Sequence, residues 1–91
     1  MDCPEIKEYI FSDHARFELH RRGISEEDVR RVLKAPQQCS FVRPGRCVYQ
    51  SKISMSQPAK EYVLRVFVDV DRPVAEVVTI YRTSKIEKYW R

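Results

Sequence analysis

The chain has 91 residues, 43% of them hydrophobic, and its 17 Lys and Arg against 13 Asp and Glu leave a net charge of +4. A chain of this length builds one hydrophobic core, so a single domain over residues 1–91 is expected, and the spread of valine, isoleucine, leucine and aromatics excludes a disordered polypeptide. The positive balance points to polyanionic partners: nucleic acid, an acidic protein or anionic lipid.

In chain order, Ser12 before DHARFELHRR and the following Gly23 predict a first helix over about residues 13–22, with a serine N-cap and a left-handed C′ glycine. At 100° per residue, Ala15, Leu19 and Arg22 share one face and His14, Phe17 and Arg21 a neighbouring one. Ser25 followed by Asp28 resembles a capping box, and Ile24 with Val29 a hydrophobic staple, so a second helix begins at Glu26. Val29, Val32 and Leu33 keep helical spacing until Pro36 ends it.

Beyond Pro36 the pattern becomes extended. QCSFV and RCVYQSKI flank the turn residues Pro44 and Gly45 and read as a hairpin, SMSQPAK as a polar loop, and EYVLRVFVDV as a long strand. In that strand Tyr62, Leu64, Val66, Val68 and Val70 should face the core, with Arg65 on the other side. AEVVTIYR is the last strand, with Val78 and Ile80 opposing Val77, Thr79 and Tyr81, and TSKIEKYWR offers a Ser84 cap for a short terminal helix. The order predicts an α+β domain: two N-terminal helices on one face of a roughly four-stranded antiparallel sheet, a short C-terminal helix, and a second sheet face available to ligand.

No run approaches the roughly 20 apolar residues of a membrane span, and MDCPEIKEYIFSDH lacks the order of a secretory signal, so no membrane association and a cytoplasmic location are expected. Cys3, Cys39 and Cys47 fit reduced thiols better than a disulfide framework or a zinc site, and no metal or cofactor is expected.

The stretches FSDHARFELHRRGISEEDVRRVLKAP, GRCVY, LRVFVDV and EVVTIYRTSKIEKYW resemble a bacterial domain family of unknown function related to the BrnT and RelE toxins. The resemblance implies a RelE-like fold and a metal-independent endoribonuclease of a type II toxin–antitoxin pair. Its partners would be RNA, free or on the ribosome, and a cognate antitoxin wrapped over the basic sheet face. It marks His14 and Arg22 in the first helix, Arg46 before the first long strand, and Tyr81 and Arg82 at the end of the last.

Metal-free cleavage by the 2′-hydroxyl needs a base, an acid and cations that offset the transition-state charge. His14, Arg65, Tyr81 and Arg82 are the candidate catalytic residues, with Arg65, Arg46 and Arg82 expected to converge on one phosphate. Arg22, Arg46, Tyr49, Thr79 and Lys85 are the candidate RNA contacts, the tyrosines by stacking on unpaired bases. Against these stand plainer roles: a packing histidine in the first turn, solvated arginines, and tyrosines packed on the terminal helix. With no unambiguous acid–base pair, a noncatalytic RNA- or protein-binding module is the alternative, and a housekeeping domain without toxicity the third reading.

Overall fold

Five strands form one mixed sheet in the order β1-β5-β4-β3-β2, with two helices packed against one face. The structure is a computed structural model that describes residues 3–55 and 60–91; the polar loop expected between the long strands falls largely at 56–59, outside the described residues. The elements are β1 (Tyr9–Phe11), α1 (Asp13–Arg21), α2 (Glu26–Lys34), β2 (Gln38–Arg43), β3 (Arg46–Met55), β4 (Lys60–Asp69), β5 (Ala75–Thr83) and α3 (Ile86–Tyr89).

The helix signals act as the sequence implies. Ser12 Oγ accepts from the Ala15 amide at 3.0 Å and Ser25 Oγ from the Asp28 amide at 3.1 Å, each satisfying an orphan donor of a first turn. Gly23, at φ 63°, reverses the chain between the helices, and Gly45, at φ 81°, closes the β2–β3 hairpin. Val29, Val32 and Leu33 of α2 join Ala15, Leu19 and Ile24 in a core with Cys47, Tyr49, Leu64, Val66, Val68, Val77 and Ile80. Each fully buried large aliphatic side chain in this layer contributes about 1.5–3 kcal/mol, before conformational entropy is subtracted.

Three features correct the sequence-based expectation. The sheet has five strands, because Tyr9–Phe11 pairs in parallel with Ala75–Val77; a three-residue strand gives too short an alternation to be distinguished from loop. The two helices therefore follow a strand, and the antiparallel set is β2 to β5 alone. In β5 a bulge at Val78, where Phe67 pairs with Thr79 but Val68 with Val77, puts Val77 and Ile80 together on the core side. One inserted residue reverses the alternation across it, so Val78 does not share a face with Ile80. Finally, Ser84 does not cap α3: the Lys85 amide instead donates to Thr83 Oγ1, and the helix is one turn long.

Candidate functional site

Strand register builds the site. Gln38 pairs with Gln50, Gln50 with Arg65, and Arg65 with Tyr81, so these four lie on one rung across β2, β3, β4 and β5, on the face away from α1 and α2. Hydrogen bonds run along the rung. Gln50 Nε2 donates to Gln38 Oε1 at 2.8 Å, Arg65 Nε to Gln50 Oε1 at 2.8 Å, and Arg65 Nη1 to the Tyr81 hydroxyl at 2.6 Å. The next rung carries Ser40, Val48, Phe67 and Thr79 on the same face.

The chain after β5 folds back over this face. Gln50 Nε2 donates to the Tyr89 carbonyl at 3.0 Å and Gln38 Nε2 to the main-chain oxygen of Arg91 at 2.9 Å, while Lys52 Nζ sits 4.6 Å from the centre of the Trp90 ring. The Arg65 guanidinium consequently lies among three rings, 4.4 Å from the centre of Tyr89, 5.2 Å from Phe67 and 5.7 Å from Tyr81. Such contacts hold a cation in place without neutralising it. Among the described residues no carboxylate comes within ion-pairing distance of Arg65, whereas Arg21, Arg22, Arg30, Arg31, Arg46 and Arg72 all have one. A cavity of about 260 Å³ opens beside it, with Val48 and Tyr89 among its apolar walls and Ser40, Gln50 and Arg91 among its polar ones. A half-buried guanidinium oriented by two neutral partners, with its remaining donors uncommitted among the described residues, is suited to an oxyanion such as phosphate.

Tyr89 completes the group and was not singled out as functional by the sequence. The Tyr81 hydroxyl beside it, then Lys88 and Arg65, hold its phenol below the usual tyrosine range, against the opposing effect of burial. Its ring meets that of Tyr81 edge to face at 6.2 Å. The sequence offered tyrosines packed on the terminal helix, and Tyr81 meets Tyr89 there, but nothing local says that Tyr89 returns to Arg65. Gln50, equally unremarked, is the buried amide that fixes the Arg65 fork.

The other nominated residues separate. Arg82 does not join Arg65: it pairs with Leu64 on the helix side of the sheet. There it donates to the Arg22 carbonyl at 2.6 Å and lies over Tyr62. It serves the last turn of α1, whose carbonyls lack helical partners. Arg22 is the C-cap of that helix and is paired with Glu18, whose carboxyl it holds below the usual range. His14 is exposed on α1, on the far side of the sheet from Arg65, as is His20.

Arg46 shares the open face but is engaged with Asp69 through Nε at 2.6 Å and Nη2 at 3.2 Å, and Arg72 adds a third contact at 3.1 Å. Those arginines hold the buried Asp69 carboxyl below its usual range, Arg46 most strongly. Tyr49 is buried on the helix side, its hydroxyl donating to the Pro4 carbonyl at 2.6 Å, so it offers no stacking surface. Thr79 lies half-buried on the open face one rung from Arg65, and Lys85 is exposed just before α3. The expected convergence of Arg46, Arg65 and Arg82 on one phosphate is therefore not formed, and neither is a set joining His14 to Arg65 and Tyr81.

Among the described residues no helix is long and apolar enough to cross a membrane. A family model described as a domain of unknown function, DUF4258, matches residues 11–82. No curated protein and no solved structure matches the chain.

Proposed function

We propose, for a chain that belongs to the DUF4258 family through residues 11–82, that the open sheet face binds single-stranded RNA and cleaves it without a metal ion, as the toxin of a bacterial toxin–antitoxin pair. The observation that carries this reading is Arg65: a half-buried cation, held by Gln50 and Tyr81 and ringed by aromatics, with no carboxylate to balance it among the described residues. Burying an unbalanced charge is costly, and an arriving phosphate offsets that cost. The Tyr89 and Phe67 rings beside it suit stacking by unpaired bases.

In the reaction, Arg65 grips the phosphate through its outward nitrogens. Tyr89, its phenol lowered by Tyr81 and Lys88, takes the proton of the 2′-hydroxyl as that oxygen attacks phosphorus. Arg65 offsets the charge gained by the phosphorane, and the leaving 5′-oxygen takes a proton from solvent. Kinship with the RelE and BrnT toxins, action on the ribosome, and an antitoxin that covers this face are parts of the same proposal. A second reading, a noncatalytic RNA- or protein-binding module, is favoured by one observation: both histidines lie behind the sheet.

The deciding experiment is RNA cleavage in EDTA by the wild type, Arg65→Ala and Tyr89→Phe, on free RNA and on translating ribosomes, with growth after induction. Cleavage and growth arrest lost in both variants support the toxin. RNA binding without cleavage by the wild type on either substrate selects the RNA-binding module, and neither binding nor cleavage overturns every RNA reading and leaves the protein-binding module.

A further inference from the structure

All three cysteines, distant in sequence, meet at one place that the RNA reading does not use. Cys39 of β2 pairs with Tyr49 of β3, and Cys47 with Phe41, so the two cysteines are diagonal neighbours on the helix side of the sheet. The Tyr49 hydroxyl, bonded to the Pro4 carbonyl at 2.6 Å, pins the N-terminal segment over them. Cys3 and Cys39 both pack against the core that contains Cys47 and Tyr49. Cys3, Cys39 and Tyr49 line one cavity of about 300 Å³ at the surface, whereas Cys47 is wholly buried.

We propose that Cys3 and Cys39 form a thiol oxidation site, at which a small-molecule disulfide such as glutathione disulfide converts the pair to an internal disulfide that fastens the N-terminal segment to β2. Geometry selects this pair. Diagonal cross-strand positions stand about 7–8 Å apart, beyond the usual span of a disulfide, which disfavours Cys39 with Cys47. Cys47 is closed to reagents, while Cys3 and Cys39 are both part-exposed. The exchange balances in two steps. The Cys39 thiolate attacks one sulfur of glutathione disulfide and expels glutathione thiolate; the Cys3 thiolate then attacks the Cys39 sulfur of the mixed disulfide and expels the second. The two cysteines lose two electrons and two protons, which end on two molecules of reduced glutathione. Burial and the neighbouring thiols push the Cys3 thiol up, so the second step quickens as pH rises.

The test treats the full chain with glutathione disulfide at pH 8, followed by peptide mapping without reduction. Two of the three thiols should be lost to a Cys3–Cys39 link, also in Cys47→Ala and in neither Cys3→Ser nor Cys39→Ser. Closing so long a loop should raise the melting temperature by roughly 15–30 °C, reversibly on reduction. Should a variant fail to fold, the wild-type map decides alone. A link to Cys47, glutathione adducts without an internal bond, linkage between molecules only, or three surviving thiols would each overturn the proposal.

Discussion

Replacing Arg65 with alanine separates a phosphate-gripping arginine from a structural one, because Arg82, on the next rung but the opposite face, serves as its control. The substitution removes a charge-assisted phosphate contact, worth about 1.5–3 kcal/mol, or roughly 10–150-fold in RNA affinity. It also removes one neutralised phosphate from the salt dependence, so the slope of log affinity against log salt should flatten by about 0.7. If the phosphorane is stabilised as proposed, cleavage falls by roughly 10²–10³. The fold should survive. Gln50 Oε1 loses its Arg65 donor, a cost of about 1–3 kcal/mol, but Gln50 Nε2 keeps Gln38 and the Tyr89 carbonyl, and a small domain has about 5–15 kcal/mol in hand. Arg65→Lys should recover little, because it keeps the charge and loses the planar fork. Arg82→Ala should do the reverse: about 1.5–3 kcal/mol of stability lost with the bond to the Arg22 carbonyl, and unchanged affinity per folded molecule. Fluorescence anisotropy with single-stranded RNA at several salt concentrations, beside urea unfolding, reads both quantities. A folded Arg65→Ala protein with unchanged affinity and slope refutes the reasoning, as does a folded Arg82→Ala protein that loses as much.

Tyr89→Phe should retain RNA affinity within a few-fold and lose cleavage by roughly 10²-fold, as expected for a removed general base; equal loss of binding and rate would make Tyr89 a stacking residue instead. Because the Tyr89 phenol is lowered and acts deprotonated, the rate should rise with pH through a step below the usual tyrosine range, and Tyr81→Phe should move that step upward in a pH–rate profile. The Asp69 carboxyl is depressed by Arg46, so its contribution to stability is present above about pH 4, its unfolded value, and is lost as pH falls through its folded value. Asp69→Asn should flatten that acid limb in urea titrations, and Arg46→Ala should cost about 2–3 kcal/mol near neutral pH, less than a fully buried pair because Arg46 is 29% exposed and Arg72 still reaches Asp69. Gly45→Ala forces a left-handed turn onto a residue with a Cβ that would collide with the Asp71 carboxylate, and should cost at least about 1–2 kcal/mol by urea unfolding.

The sequence by itself determined what depends on neighbours along the chain. Ser12, Ser25, Gly23 and Pro36 punctuate the helices because caps and backbone restrictions act within a few residues. The two-residue period places Leu64, Val66 and Val68 inward and Arg65 outward, and it sets Tyr81 and Arg82 on opposite faces, but only the register with β4 decides that Tyr81, and not Arg82 as expected, shares the face of Arg65. Tertiary structure decided what depends on pairing between distant segments. Parallel pairing with β5 makes a strand of Tyr9–Phe11, which carries too little pattern alone. The bulge at Val78 exists only relative to β4, where Val68 and Phe67 leave it without a partner. Register puts Gln38, Gln50, Arg65 and Tyr81 on one rung, and the folding back of α3 adds Tyr89. The hydrogen bonds of this group join residues 12 to 53 positions apart, and their geometry is fixed by sheet hydrogen bonding and core packing, which no window of local sequence contains.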